Sequence, residues 1–411
     1  MLQDKLGFAA GRLQRITEHL ERAYIAPGKI AGCQTLVARH GEIAYFQSLG
    51  QADRERGTAL TDAAIFRIYS MTKPITSVAL MSLYEQGYFS LNDPIGRVLP
   101  ELRDQRVWIA GEGDAMRTAP PKRSVTFRDM LCHTGGLTYG DALSSAGAVP
   151  VSGHPVDAMY SKHRVRRGRD ETLADFIAKL SNVPLRYEPG ERWLYSYSTD
   201  VCGALVERMS GQRFDQYLKK TIFEPLGMKG TGFSVAPADQ SRLTACYRRN
   251  AHKQLELADD PKHSVYLEEP AFFSGGSGLV STSADYFRFC EMLRRGGELD
   301  GARILGPRTI ELMHMNHLPG GKDLAELAIG AFSETANEGV GFGLGFASTL
   351  GKVESAGLSA GDYYWGGLAS TIFWIDPKEQ LVVIFMTQLI PSATFDFRSQ
   401  LKNIIYSALV D

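Results

Sequence analysis

Two residues in the stretch RIYSMTKPITSVALMSLYEQG, Arg67 to Gly87, have the types and spacing for nucleophilic chemistry: Ser70 and, three residues on, Lys73. An alcohol is a poor nucleophile until a neighbouring base takes its proton, and an amine can do so when nearby charge and desolvation bring its pKa toward working pH. The pair matters only if a helix makes the two side chains neighbours. Met71, Ile75, Val78, Ala79 and Leu83 recur at helical spacing, Leu80 and Met81 widen the apolar face, and Gly87 stands where a helix stops. Pro74 fits only in a first turn, whose N–H groups lack intrahelical partners, so the helix is expected to begin at about Ser70. Ser70 then lies at the positive end of the helix dipole, with Lys73 at i+3 on the same face.

Other patterns compete for attention. Ser-x-x-Lys recurs as SQLK, Ser399 to Lys402, on a terminal helix. The hydrolase signature G-x-S-x-G occurs once, as GLSAG around Ser359; a nucleophile elbow needs a strand before the serine and a helix after it. Here Gly361, Asp362 and a strand-like run follow, so Ser359 reads as a loop serine. His314 and His317 in HMNH have i,i+3 spacing without a third ligand, so no metal is expected. The basic run KHRVRRGRD, 162 to 170, reads as a solvated loop.

The elements that must position Ser70 and Lys73 come from a chain of 411 residues, long enough for two or three domains and a large core. Its 45 basic and 46 acidic residues give no global field for nucleic acid or an anionic membrane, which leaves a small molecule as the expected partner. The five cysteines (Cys33, Cys132, Cys202, Cys246 and Cys290) are scattered, without C-x-x-C spacing, and read as reduced structural thiols. With no apolar run of signal-peptide or membrane-spanning length, a cytoplasmic protein is expected.

Residues 7 to 24 read as an amphipathic helix, and 32 to 50 as a β-hairpin turning at Arg39-His40-Gly41-Glu42. Helical islands follow at 171 to 181 and 200 to 211, within a middle stretch that shows no strong strands. Strand signals return at 341 to 348, 370 to 376 and 380 to 388, and 392 to 410 closes as an amphipathic helix. Both ends are thus α/β. The expected architecture is a discontinuous sheet domain, 1 to 94 with 271 to 411, carrying a mostly helical domain, 95 to 270, with the active site in the cleft between them.

Two distant segments raise the Ser70 match: PGERWLYSYSTDVCGALVERMSG, where Tyr195 follows Trp193 just before a helix, and YYWGGLASTIFWIDP, where Gly366 and Gly367 precede an apolar strand. With MLCHTGGLTYG (130 to 140) and SGGSGLVSTSADYFRFCEML (274 to 293), their order resembles the serine β-lactamase and penicillin-recognising superfamily over nearly the whole chain. The resemblance is strongest to the class C β-lactamase-like family VIII carboxylesterases. It implies an antiparallel sheet flanked by terminal helices plus a helical insertion, and a cofactor-free serine hydrolase working through an acyl-enzyme. Ser70 would be the nucleophile, Lys73 its activating partner and Tyr195 the tyrosine of the second motif, with either of the last two as proton acceptor. The backbone N–H groups of Ser70 and Leu368 would form the oxyanion hole.

Tyr139 and Asp200 match positions that line or brace the pocket in this family, and His133 matches a residue supporting the loop beneath it. Two departures bear on substrate. Lactamases and D,D-peptidases open the third motif with a basic residue that pairs with a substrate carboxylate, where this chain has Trp365; their second motif usually ends in Asn, where this chain has Tyr197. Both changes suggest an aromatic, less polar substrate wall beside Gly366 and Gly367, suited to small, short-acyl neutral esters. Weak β-lactam hydrolysis is an expected side activity. A true β-lactamase or D,D-peptidase, a small-amide amidase, an acyltransferase and a catalytically silent relative are the rival readings.

Overall fold

A computed structural model describes residues 2–145, 153–165, 170–250, 252–329, 338–351 and 360–410. The GLSAG serine, Ser359, and residues 166–169 of the basic run lie outside these.

The hairpin encoded by 32 to 50 forms the strands Gly32–Arg39 and Glu42–Asp53. His40 (φ 53°) and Gly41 (φ 87°) turn the chain between them, the paired positive φ values that match the twist of a tight hairpin. Gly32–Arg39 is buried along its whole length because its other neighbour comes from the opposite end of the chain. Leu381–Thr387 pairs with it antiparallel, Cys33 opposite Thr387 and Arg39 opposite Leu381. The result is one eight-stranded sheet, ordered Val340–Phe342, Ala347–Thr349, Tyr363–Gly366, Ile372–Asp376, Leu381–Thr387, Gly32–Arg39, Glu42–Asp53 and Thr58–Ala59. Every neighbouring pair in it is antiparallel.

Three elements differ from expectation. The helix expected over 7 to 24 covers only Gln14–Leu20 and runs on as a π turn, Glu21–Ile25, because Gly7 and Gly11 take positive φ and break the chain before it. Phe8 instead bridges Leu409, joining the two termini. The 341 to 348 segment is a bent hairpin, Val340–Phe342 with Ala347–Thr349, rather than one strand. Gly345 turns it at φ 101°, and a Cβ on Gly343 would lie 2.1 Å from the Met313 carbonyl oxygen. The middle stretch also holds strands, the hairpins Val107–Ala110 with Arg117–Ala119 and Cys246–Arg249 with Leu255–Asp259. They are short and partly exposed, so they carry little apolar alternation, and the second hairpin pairs in parallel with Leu389–Ile390.

The remaining middle elements are mainly helical. Leu173–Leu180 starts on a Thr172–Asp175 capping box, and Ser198–Ser210 stops at Gly211, φ 67°. Ser198–Ser210 packs on Thr72–Glu85, the helix that carries Lys73, and every residue from Thr72 to Leu83 is buried. A single apolar core runs from the sheet through this helix into the middle stretch. Among the described residues no helix is long and apolar enough to cross a membrane.

The second Ser-x-x-Lys match is structural in setting. It lies on the closing helix Phe397–Tyr406, where the Ser399 amide donates to the N-cap Asp396 at 3.2 Å. Lys402 is buried and hydrogen-bonds the equally buried Asp362 at the foot of strand Tyr363–Gly366. Removing one member of a buried ion pair strands the other charge. Lys402→Ala is therefore expected to lower unfolding stability by about 3–5 kcal/mol in urea titrations, with Ser399→Ala staying within about 0.5 kcal/mol; an unchanged Lys402→Ala midpoint would refute this account.

Candidate active site

Ser70 sits in the 3-10 turn Tyr69–Met71 that leads into the buried helix, which starts at Thr72, two residues later than expected, with Pro74 still inside its first turn. The residue before it, Tyr69, takes φ +42°, a conformation costly for an aromatic side chain. Lys73 Nζ donates to Ser70 Oγ at 3.1 Å. A buried amino group needs further partners. The Gly276 carbonyl accepts from it at 2.6 Å, and the Tyr195 and Tyr139 rings lie 4.6 and 5.6 Å away.

Gly276 belongs to the loop SGGSGLV, 274 to 280, for which the sequence motif assigns no role. Thr76 Oγ1 donates to the Gly275 carbonyl at 2.8 Å, and the Leu279 amide donates to Thr72 Oγ1 at 3.2 Å, so the loop is stitched along the Lys73 helix. No side chain fits there. A Cβ on Gly275 would meet the Thr199 carbonyl at 2.6 Å, one on Gly276 the Asp200 carboxylate at 2.5 Å, and one on Gly278 the Phe233 ring at 2.7 Å. The density of glycine in SGGSGLV was the available signal. Asp200 is fully buried beneath this loop, and its Oδ1 accepts from Ser274 Oγ at 2.5 Å and from the Gly276 amide at 3.1 Å. It therefore holds the loop rather than facing the cleft.

Tyr195 arrives on the segment just before Ser198–Ser210. Its hydroxyl accepts a hydrogen bond from Trp365 Nε1 at 3.2 Å, and the two rings lie 5.4 Å apart. Trp365 is 1% exposed and Tyr197 2%, so neither forms the open aromatic wall that the sequence suggested. Trp365 turns inward against Tyr195 and Phe342, and Tyr197 packs on Tyr139 and Tyr160. Tyr139 meets Tyr195 edge-on at 5.3 Å. His133 lies beneath this cluster, its ring 5.0 Å from that of Tyr195 and its nitrogens near Ser196 Oγ (3.2 Å) and Thr199 Oγ1 (3.5 Å).

Strand Tyr363–Gly366 delivers the last component. A Cβ on Gly367 would lie 2.4 Å from the Ile68 carbonyl oxygen, so only glycine lets this backbone reach the turn that holds Ser70. The chain then doubles back, the Gly367 amide donating to the Thr371 carbonyl at 2.7 Å. Among the described residues, neither the Ser70 nor the Leu368 amide donates to a backbone carbonyl.

The remaining sequence features lie elsewhere. His314 stacks on Tyr363 at 4.8 Å, and His317 contacts Arg128 and the Leu312 carbonyl. Among the described residues no group of three or more His, Cys, Asp or Glu is placed to hold a metal ion. All five cysteines are buried and free.

Residues 17–402 match the family model described as Beta-lactamase, and the chain belongs to that family. It is 31% identical over 373 residues to Protein Rv1367c of Mycobacterium tuberculosis, covering 90% of this chain and 88% of that one. It is also 29% identical over 382 residues to Esterase EstB of Burkholderia gladioli, covering 87% and 86%. The solved structure of EstCE1, described as a hydrolase with promiscuous acyltransferase activity, superposes with a TM-score of 0.78 at 26% identity, covering 99% and 100%. The protein is a serine hydrolase of the β-lactamase fold.

The buried histidine makes the site sensitive to acid. Burial first, and the charge of Lys73 second, hold the His133 imidazole well below its usual range, so it is neutral in the folded protein. Protonation then favours the unfolded chain: the contribution is full above the unfolded value of about 6.5 and is lost as pH falls below it. His154, His314 and His317 are lowered too, mainly by burial. Stability is expected to fall from pH 6.5 to 5, by up to about 1.4 kcal/mol per pH unit for each such group. His133→Asn should flatten that slope in denaturation curves taken across the range, and an unaltered slope would count against a neutral His133.

Proposed function

We propose that the protein is a carboxylesterase that hydrolyses small neutral esters through an acyl-enzyme on Ser70. The observation that carries this reading is the pair of contacts around the nucleophile: Lys73 Nζ 3.1 Å from Ser70 Oγ, and an indole N–H, where a lactamase has a cation, 3.2 Å from the Tyr195 hydroxyl. The naming of EstB as an esterase supports it.

In the proposed cycle Ser70 Oγ bonds to the ester carbonyl carbon as its proton passes to the Lys73–Tyr195 unit. The carbonyl oxygen, now anionic, is held by the Ser70 and Leu368 amides, each worth about 3–4 kcal/mol in the transition state. Collapse breaks the bond to the alcohol oxygen, which leaves with the stored proton. Water then adds to the acyl-serine, giving up its proton to the same unit, and the acid departs as Ser70 Oγ is reprotonated. Trp365 supports the Tyr195 oxygen whenever negative charge develops on it, and Asp200 holds Gly276 so that Lys73 stays aimed at Ser70.

The surroundings of Gly366 favour a second activity. A Cβ on Gly366 would lie 3.4 Å from Nη2 of Arg398, whose guanidinium also sits 4.4 Å from the Tyr364 ring centre. A guanidinium beside this strand supports weak hydrolysis of carboxylate-bearing β-lactams by the same acyl-serine chemistry. Delivery of the acyl group to an alcohol instead of water is the parallel suggested by the description of EstCE1.

With p-nitrophenyl acetate as substrate, Ser70→Ala is expected to abolish turnover. Lys73→Ala and Tyr195→Phe should each lower kcat at least about a hundredfold, because general-base assistance is worth about 10²- to 10⁴-fold. The double variant should lose little more than either single one if the two residues serve a single proton transfer. Near-normal turnover in either single variant, or full additivity, would overturn the shared role.

Trp365 provides a separate test. Trp365→Phe keeps an aromatic ring but removes the donor to Tyr195, and should lower kcat by about ten- to a hundredfold, the worth of a hydrogen bond to a charged group. Trp365→Lys should raise the cephalosporin-to-ester ratio of kcat/KM, more so at low salt than at high. A ratio unmoved in the folded variant would show that this position does not separate the two substrate classes.

A further inference from the structure

The expected aromatic wall is closed, so some other surface must meet the substrate. Where the two backbones converge on the nucleophile, Tyr69 and Ser70 on one and Gly366 and Leu368 on the other are only partly buried. Ile68 and Met71, and Trp365, Gly367 and Ala369, which flank them, are buried. Tyr195 and Tyr139, at 7% each, are nearly closed as well. Of these four partly buried positions, two carry large apolar side chains, Leu368 and Tyr69, whose hydroxyl end is turned inward beside Cys246 and Arg67. Both pack against one small cluster, Cys246, Ala369 and Ile390, distinct from the main core.

Tyr69 holds this place against a backbone preference. Its φ of +42° is one that glycine adopts freely and an aromatic residue adopts at a cost, and such strain concentrates at functional sites. We propose, resting on the assignment of Ser70 as nucleophile, that Tyr69 and Leu368 form the floor that receives the acyl chain and limits its length. The geometry of the tetrahedral carbon supports the acyl side. One substituent is Ser70 Oγ, the oxyanion points to the Ser70 and Leu368 amides, and the departing alcohol must face Lys73 and Tyr195 to gain its proton. The acyl carbon takes the remaining direction, beside the residues that carry the oxyanion donors. The substrates that fit are esters of short acyl chains, with the Tyr69 ring as the stop.

The test compares kcat/KM across p-nitrophenyl esters from acetate to decanoate, and across acetate esters of alcohols of rising size. Tyr69→Gly, which also relieves the backbone, should raise the octanoate-to-butyrate ratio at least about tenfold, since each methylene given apolar cover is worth about fourfold. Leu368→Ala should move the ratio the same way, Tyr69→Phe should keep the wild-type ranking, and the alcohol series should keep its order. If Tyr69→Gly does not fold, Leu368→Ala decides. An unchanged acyl ratio in the folded variants, or a shift confined to the alcohol series, overturns the proposal. A fluorophosphonate label mapped by peptide analysis separates the two levels. Label on Ser70 with an unchanged acyl profile removes this proposal alone, whereas wild-type label elsewhere removes the assignment beneath it.

Discussion

Holding a lysine amino group inside a buried helix is the constraint around which the rest of this protein is arranged. Lys73 lies in a helix whose residues from Thr72 to Leu83 are all buried, so its polar head cannot be left to water. The Gly276 carbonyl answers that need, and answering it requires a loop that comes within reach of the helix. Only glycine fits at 275, 276 and 278, and Asp200 is buried to hold the loop from behind. A polar head on one helix thus dictates the composition of a segment two hundred residues later. It also explains why the Thr72 and Thr76 hydroxyls in that helix are turned toward the same loop.

The second half of the arrangement depends on the sheet. Because the first long strand pairs with Leu381–Thr387, which pairs in turn with Ile372–Asp376, strand Tyr363–Gly366 comes next in the sheet, and its end abuts the Ser70 turn at Gly367. The same strand turns Trp365 inward to the Tyr195 hydroxyl. Antiparallel register sets which residue faces in, and a slip of one would exchange the indole for Tyr364. The donor that this strand presents to Tyr195 is uncharged.

Much of this was legible in the residues themselves. The nearness of Ser70 and Lys73 follows from i+3 spacing at a helix start that Pro74 marks, and the hairpin from the alternation on either side of Arg39-His40-Gly41-Glu42. Membership of the wider family could be read from the order of four short motifs. Side-chain direction was less accessible. Trp365 and Tyr197 were expected to face a ligand, but whether an aromatic side chain closes inward depends on the neighbours that cover it, here Phe342 and Tyr160. Asp200, matched to positions that line or brace the pocket, takes the bracing place beneath the glycine loop. The early helix was overextended because apolar spacing says little about glycines that take positive φ, and the short hairpins at 107–119 and 246–259 lacked the alternation that announces longer strands.

The pairing of Gly32–Arg39 with Leu381–Thr387 bears on how the protein is made. During synthesis the first hairpin leaves the ribosome early, yet one long edge of it stays uncovered until almost the entire chain has followed. Contacts of such sequence separation form slowly, and an apolar strand edge left waiting is a site for pairing with other nascent chains. The strand bearing Trp365 and the approach at Gly367 belong to that late-arriving portion, so their contacts with Tyr195 and the Ser70 turn wait for it. A chain cut short before residue 380 would retain Ser70 and Lys73 yet lack the partner strand that completes the sheet. Quality control by cellular chaperones would then act on a protein whose competence to react and competence to stay soluble are reached at nearly the same moment.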